Sequence, residues 1–280
     1  MASKSYLLNL KIKFMKKIFI IIFLIINTSL LFSQSNNVDK IKLAGIKSLV
    51  TKSFSVEDGK KQLLNTKSYD FDVKGNVTTV KFDTSGFFHK IIYKYDTNGN
   101  IIEEKMFKQT KNVRTYKYEY NISDKKESCV SLNYSGDQDV EINYTYDNKG
   151  NLVQEESLSG NKKFGFKYAY DKNSRKTEMV AYNPTKIEKK FYYYYDAKGL
   201  LIEEKGVLYW AGSKTAKHNF FSRKSFKYND NKELTEMNYY LTDQLFEKYL
   251  YFYNEKGLLT KFEKYSTAGF LNFIMEYNYE

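Results

Sequence analysis

The chain has 280 residues, 45 Lys and Arg against 33 Asp and Glu for a formal net charge of +12, and aromatic side chains at 18% of its positions. Lysines are spread along the chain and interleaved with glutamates, which is typical of a solvated sheet surface and argues against a concentrated phosphate-binding stripe, so nucleic acid is not expected as a partner. Cys129 is the only cysteine, which excludes an intrachain disulfide.

The N-terminus has the order of residues found in secretory signals. Five lysines and no acidic residue fall within residues 1–33, which also contain the apolar run 18–26 and then small and polar residues. This run is short of the roughly 20 apolar residues that span a bilayer as a helix, so cleavage is expected in place of a permanent anchor. Met15 resembles a natural start, which makes residues 1–14 either an N-terminal extension or a long basic first part of the signal. The sequence therefore predicts an exported protein that is extracellular, on the cell surface or periplasmic.

The next segment, residues 34–66, lacks the motif that fills the rest of the chain. It is predicted to form an N-terminal cap with a helical or loop start at 38–43 and an opening strand around 46–56. End units of repeat arrays commonly differ from internal ones, and exposed strand edges are commonly covered. We therefore expect this segment to cover the first edge of the sheet that follows.

Residues 67–280 contain a repeated motif in which two aromatic residues, separated by one residue, usually precede Asp or Asn. A fixed spacing of about 25 residues indicates one supersecondary unit stacked many times. The repeat breaks once, at an insertion covering about residues 206–221. The second aromatic residue of each copy is Phe71, Tyr95, Tyr120, Tyr146, Tyr170, Tyr195, Tyr228, Tyr253 or Tyr279.

Each copy of the motif is predicted to form one β-hairpin. Aromatic residues at every second position, as in residues 164–170, predict a strand with the rings on one face. The Asp-x-x-Gly that follows predicts a tight turn, in which Asp accepts backbone N–H groups and Gly takes the left-handed conformation. Asp124, Ser174 and Lys232 replace Gly in three units, at a cost of about 1 kcal/mol if that conformation is kept. The structural repeat positions singled out are Tyr95, Asp96, Gly99, Tyr146, Asp147, Gly150, Tyr195, Asp196, Gly199, Tyr253 and Gly257.

The predicted fold class is all-β, with tandem β-hairpin repeats of about 25 residues forming one long antiparallel sheet. The hairpins and the opening strand together supply roughly 18 strands, and twisted sheets rarely exceed about 10 strands without curling. A curled or spiral sheet is therefore expected. Its tyrosines would form one continuous aromatic stripe, which can stay partly wet because the hydroxyls are polar.

The motif Tyr-x-Tyr-Asp-x-x-Gly-Asn-Leu at residues 144–152, with close copies at 93–101 and 193–201, resembles the RHS or YD-repeat family. The likeness covers about residues 68–280, and short secreted members of the Bacteroidetes type look most similar. The resemblance implies β-hairpins that wind into a spiral sheet, a scaffold role and carbohydrate binding. The chain is too short to form the shell that encloses a toxin in larger members.

The insertion within residues 206–221 supplies the candidate binding residues. It holds the only Trp and one of the two His of the chain. Aromatic rings on an inserted loop can stack on a sugar ring or on a partner's apolar surface, so Tyr209, Trp210 and His218 are the predicted binding residues. A longer hairpin loop with Trp210 packed on the sheet is the structural alternative.

Catalytic and metal-binding motifs are missing from the sequence. His89 and His218 lie in no metal-ligand or nucleophile motif. Paired glutamates such as Glu103 and Glu104 recur in several units, and neighbouring strand residues face opposite ways, so a solvated charged face is favoured over a pair of glycosidase carboxylates. We therefore predict no catalytic residue, no cofactor, no metal and no enzymatic activity.

The predicted function is that of a secreted binding or adhesion module for cell-surface carbohydrate or a protein partner. A structural scaffold, or a partner protein of an RHS-type toxin system, is the alternative. An outer-membrane β-barrel ranks third, because its strands need lipid-facing apolar rows of about 9 to 11 residues and the glutamate pairs interrupt them. No stable membrane insertion is expected after signal cleavage.

Overall fold

The computed structural model describes residues 36–83, 89–159, 162–183, 186–209 and 219–280. Over these residues it has one helix, α1 (Asn36–Leu43), and no helix long and apolar enough to cross a membrane. The strands are β1 (Ser48–Glu57), β2 (Lys60–Phe71), β3 (Val77–Phe82), β4 (Lys90–Tyr95), β5 (Ile101–Lys108), β6 (Lys111–Tyr120), β7 (Lys126–Leu132), β8 (Gln138–Tyr146), β9 (Leu152–Ser159), β10 (Lys162–Tyr170), β11 (Lys176–Asn183), β12 (Lys186–Tyr195), β13 (Leu201–Tyr209), β14 (Asn219–Tyr228), β15 (Leu234–Leu241), β16 (Gln244–Tyr253), β17 (Leu259–Ser266) and β18 (Leu271–Tyr279).

The eighteen strands form one closed antiparallel barrel. Each strand pairs with the next in the chain, and β18 pairs with β1 over seven residue pairs. Backbone hydrogen bonds of 2.9 Å between Ser48 and Glu280, one in each direction, extend this closing pair. The expected number of strands is found, but the prediction of an open curled or spiral sheet is wrong. The first and last strands satisfy each other's hydrogen-bonding edges, so curling proceeds to closure.

Helix α1 does not cover a sheet edge, because the closed barrel has none. It lies instead against the turns at one end of the barrel. Lys40 Nζ donates to Glu233 Oε1 at 2.9 Å and to the carbonyl of Gly257 at 2.8 Å. The side chains of Ile41 and Leu258 are each only 1% exposed. A buried apolar residue and a paired lysine together hold the helix at this end.

Eight turns of the repeated motif lie at this same end of the barrel, which we call the turn end; the opposite end is the loop end. The fourth residue of each turn has positive φ, whether it is glycine, as at Gly99 (90°), or Asp124 (54°), Ser174 (59°) or Lys232 (63°). The strand register shifts by one residue just before the second aromatic residue, as between Lys94 and Tyr95. A left-handed residue followed by such a bulge gives the hairpin the twist its strands require.

Asp or Asn side chains at the first turn position hold the backbone of the turn. Asp96 Oδ1 accepts the backbone N–H of Asn100 at 2.8 Å, and Asp96 Oδ2 accepts the Asn100 side-chain amide at 3.0 Å. Asp147 accepts the same two bonds from Asn151. These side-chain hydrogen bonds lower the pKa values of Asp96 and Asp147, because they favour the carboxylate. Each turn is therefore fixed by its own first residue.

The second tyrosine of each motif ties its repeat to the preceding one. Its hydroxyl donates to a backbone carbonyl at the start of the preceding return strand, at 2.6 to 2.9 Å. Such a bond needs a hydroxyl, so Phe71 cannot make it in the first unit. The donor and acceptor pairs are Tyr95 and Val77, Tyr120 and Ile101, Tyr146 and Lys126, Tyr170 and Leu152, Tyr195 and Lys176, Tyr228 and Leu201, Tyr253 and Leu234, and Tyr279 and Leu259.

Replacing Tyr146 by phenylalanine tests this connection between repeats. The Lys126 carbonyl would lose its 2.8 Å donor while the ring keeps its packing, so we expect the free energy of unfolding to fall by about 1 kcal/mol. Urea denaturation followed by circular dichroism measures the change. Tyr194→Phe is the control, because Tyr194 is 44% exposed, on the face of its strand opposite to that of the buried Tyr193. Equal effects of the two substitutions would show that the hydroxyl bond contributes nothing.

One face of the sheet is buried and forms the inner wall of the barrel. Strand register places its core residues on a single face, as where Val80 pairs with Ile91 and Ile91 pairs with Met106. The opposite face carries more exposed side chains, such as that of Lys227, which is 68% exposed and pairs with Glu236 at 2.8 Å, and it is therefore the outer wall. The buried core cluster consists of Leu49, Tyr69, Val80, Ile91, Met106, Tyr116, Cys129, Leu259 and Tyr277.

Candidate functional site

Charged side chains alternate in sign along part of the inner wall, at half-buried positions on five successive return strands. Each of these strands pairs with a tyrosine-rich strand, and its charged residue lies opposite a tyrosine, as Glu104 does opposite Tyr93 and Lys176 opposite Tyr170. We call this set the inner belt. Its members are Glu104 on β5, Lys126 on β7, Glu155 on β9, Lys176 on β11 and Glu204 on β13.

The two lysines of the inner belt lie between tyrosine rings. Lys126 Nζ is 4.3 Å from the ring centroid of Tyr118 and 5.6 Å from that of Tyr144. Lys176 Nζ repeats this arrangement, at 4.4 Å from the ring of Tyr193 and 5.6 Å from that of Tyr168. Burial lowers the pKa of both lysines because it penalises the charged form. The electron-rich faces of the rings partly offset that penalty.

Both belt ammonium groups face space that the protein leaves open. No ion pair or hydrogen bond joins Lys126 or Lys176 to another side chain within the described ranges. In the same part of the chain, the one fully buried side-chain polar atom without a hydrogen-bond partner is Asn272 Oδ1. The two lysine nitrogens are therefore not sealed in protein and keep some accessible surface on the inner wall.

The three carboxylates of the inner belt differ in how they are satisfied. Glu204 accepts an ion pair from Lys224 Nζ at 2.8 Å. Glu155 Oε1 accepts the Tyr168 hydroxyl at 2.7 Å. Glu104 has only a longer bond, 3.3 Å from the Tyr118 hydroxyl.

The weakly partnered carboxylate of the inner belt is Glu104. Burial raises its pKa to about 7, although the Tyr118 hydrogen bond and the charge of Lys126 act in the opposite direction. Burial also raises the pKa of Tyr118, so that hydroxyl stays protonated and remains a donor at neutral pH. Glu104 is therefore the belt residue whose charge changes near neutral pH.

The structure does not describe the side chains of the three predicted binding residues. Trp210 and His218 lie outside the residues that the structure describes. Tyr209 ends β13 at the loop end, where its backbone pairs with Asn219, and its side chain also lies outside the described part. Their role therefore stays a prediction.

The inner belt was not predicted from the sequence, because the glutamate pairs were assigned to a solvated face. The structure divides each pair between the two walls: Glu103 is on the outer wall beside Lys105, at 2.9 Å, while Glu104 is inside. The spacing between the turn and the glutamate pair could have indicated which glutamate points inward. Once the turn bulge is counted, the second glutamate of this pair falls opposite an inward-facing tyrosine.

Other features of the described chain offer less chemistry. A pocket of about 550 Å³ lies at the turn end, between the last turn and the barrel closure. Burial raises the pKa of the Cys129 thiol to about 12, so it remains protonated. Over the described residues, no group of three or more His, Cys, Asp or Glu is placed to hold a metal ion. The pocket is lined by Ile46, Tyr253, Asn254, Glu255, Lys256, Leu258 and Tyr279.

Comparison with known proteins gives distant structural similarities alone. No protein-family model and no curated protein matches the chain. Among solved structures, TcdB2-TccC3 is 13% identical over 81% of this chain with a TM-score of 0.38, and this chain spans 15% of its length. A porin-like protein from Bacteroides uniformis is 11% identical over 84% of this chain and 98% of its own, with a TM-score of 0.43.

A second porin-like protein, from Bacteroides vulgatus, is 10% identical over 82% of this chain and 98% of its own, with a TM-score of 0.31. At these identities, none of the similarities transfers a function to this chain. The resemblance to RHS and YD repeats therefore stays a prediction from sequence.

Proposed function

We propose that the protein is an exported, non-enzymatic binding protein and that the inner wall of its barrel is the binding surface. The inner belt is the observation that supports this. A wall that served packing alone would be apolar, because each half-buried charge costs desolvation free energy. Here five charged groups and a series of tyrosines occupy the positions where apolar side chains would stabilise the fold more.

Cell-surface carbohydrate is the ligand class that suits this wall. Tyrosine rings offer flat faces for the C–H surfaces of sugar rings, and carboxylates and ammonium groups exchange hydrogen bonds with sugar hydroxyls. The rings of Tyr118 and Tyr144 flank one such polar group, Lys126, and those of Tyr168 and Tyr193 flank another, Lys176. Rings and polar groups therefore alternate along the wall, as recognition of a hydroxyl-rich ligand requires.

The outer wall supports an aqueous environment for the barrel. Ion pairs lie in the middle of outer strand faces, such as Lys205 with Glu203 at 3.0 Å and Lys248 with Glu236 at 3.0 Å. A lipid-facing wall would expose apolar side chains at these depths, because charges there cost several kcal/mol each. We therefore place the exported barrel in the periplasm or outside the cell, not within a bilayer.

A glycan array with the mature chain, residues 34–280, tests the proposal, together with cell fractionation to locate the protein. Tyr144→Leu removes one inner ring and is expected to weaken binding at least fivefold, roughly 1 kcal/mol. Tyr194→Leu, on the outer wall, is the matched control and should bind like the parent. Thermal unfolding confirms that both variants fold. Binding that survives the inner substitution but not the outer one would move the site to the outer wall and contradict the proposal.

A further inference from the structure

We propose that the inner belt selects an acidic oligosaccharide, with carboxylate or sulfate groups of the ligand at Lys126 and Lys176. This inference rests on the proposed function and specifies its ligand. A neutral sugar would use the same tyrosine rings but would leave both ammonium groups without a direct ion-pair partner. Charge complementarity within the barrel therefore separates acidic from neutral ligands.

Some lysines of the inner wall are paired directly with its carboxylates, and others are not. Lys224 is paired with Glu204 at 2.8 Å, and Lys264 with Glu247 at 3.2 Å. Three inward-facing lysines have an aromatic ring as their contact and no carboxylate within 4.0 Å over the described residues. They are Lys67, over the ring of Phe82 at 5.4 Å, Lys126 and Lys176.

The unpaired lysines carry a cost that a ligand oxyanion would remove. Burial lowers the pKa of Lys67, Lys126 and Lys176, which shows that the surroundings disfavour the ammonium form. Proteins normally pair such charges. An oxyanion on the accessible side of each ammonium would supply a direct partner, with a charge-assisted hydrogen bond to the ammonium.

The separation of the two belt lysines sets the size of the ligand. Lys126 lies on β7 and Lys176 on β11, four strands apart, which places their backbones roughly 19 Å apart along the wall. A single small anion can occupy one of these positions but cannot bridge them. An oligosaccharide of several units can contact both lysines, and its affinity then gains from the two contacts together.

Glu155, on the strand midway between the two lysines, restricts which anions fit. Its carboxylate already accepts the Tyr168 hydroxyl at 2.7 Å, so it stays on the wall as a fixed negative charge. An anion with a charge on every unit would place one beside Glu155 and be repelled. The site therefore favours an acidic ligand whose charged units are separated by neutral ones.

Isothermal titration calorimetry on residues 34–280 tests the inference. The probes are an oligosaccharide of alternating uronic acid and neutral sugar units, and its methyl ester, which lacks the charges. We expect the acid to bind about tenfold more tightly than the ester at about 50 mM salt, with a smaller difference at about 300 mM. The double variant K126Q/K176Q should lose that preference. K94Q/K117Q removes two exposed outer-wall lysines and should keep it.

The outcomes separate this inference from the proposed function. If acid and ester bind equally while Tyr144→Leu weakens both, the inner wall is the site but selection for acid is wrong. If K94Q/K117Q removes the preference and K126Q/K176Q retains it, the acid binds the outer surface and the inference is overturned. If neither probe binds and Tyr144→Leu changes no signal on the array, the proposed function fails as well. The K126Q/K176Q variant should unfold no earlier than the parent, because it removes two unpaired charges.

Discussion

Replacing Gly165 by alanine is expected to lower the free energy of unfolding by about 3 kcal/mol or more. Gly165 pairs with Glu156 across β9 and β10. A Cβ atom at this position would overlap the carbonyl oxygen of Glu155. It would also lie 2.9 Å from the carbonyl carbon of Glu155 and 3.1 Å from Cα of Glu156. These are backbone atoms of the neighbouring strand, so relief requires the two strands to separate and their hydrogen bonds to break.

Urea denaturation followed by circular dichroism measures this effect, with Gly99→Ala as the control. Gly99 has a φ of 90° and no atom within 4 Å of an added Cβ, so alanine there is opposed by backbone strain alone. That strain costs about 1 to 2 kcal/mol. A Gly165→Ala variant no less stable than Gly99→Ala would falsify the close approach of β9 and β10.

Replacing Glu104 by glutamine is expected to stabilise the protein above neutral pH, by about 2 kcal/mol at pH 8 after allowance for the partial solvent access of the side chain. Burial raises the pKa of Glu104 from 4.5 to about 7, so the folded protein holds this proton more tightly than the unfolded chain does. The free energy of unfolding therefore falls as pH rises through that interval, and the penalty is complete above it. Glutamine has no charge to desolvate and escapes the penalty.

Chemical denaturation between pH 4 and pH 8 checks this expectation. The charged and titratable groups that face Glu104 are Tyr93 and Tyr95 from β4, Tyr116 and Tyr118 from β6, and Lys126 and Cys129 from β7. At pH 4 the Glu104 carboxyl is largely protonated in both the folded and the unfolded protein. The free energies of unfolding of parent and variant should therefore differ least there. Glu103→Gln is the control, since Glu103 is paired with Lys105 on the outer wall. If the free energies of unfolding of the parent and Glu104→Gln changed in parallel with pH, a raised pKa of Glu104 would be ruled out.

The strands and hairpin turns could be predicted from the sequence because residues within each repeat determine them. Alternating aromatic residues specify strands, and the turn chemistry specifies hairpins. The left-handed conformation persists at Asp124, Ser174 and Lys232 because the Asp or Asn that starts each turn and the flanking strands fix the backbone without glycine. Closure of the barrel could not be predicted from the sequence, because it depends on the number, tilt and stagger of all strands together and not on any one repeat.

The inner belt could not be located without the strand register. Each turn is followed by a bulge, so that Tyr95 pairs with Ile101 while Lys94 already pairs with Glu103. The extra residue reverses the order of inward and outward positions along β5. A simple count by two from Ile101 therefore places Glu103 inside and Glu104 outside, the opposite of what the barrel contains.

Closure through β1 and β18 changes what a repeat means for the protein. In a linear array, gaining or losing a unit alters the length and leaves the remaining units as they were. In this ring every hairpin is an arc of the circumference, so deleting one must change the girth of the whole molecule or the slant of all its strands. Duplication and deletion of units, which diversify linear arrays easily, would here resize the enclosed space at every step.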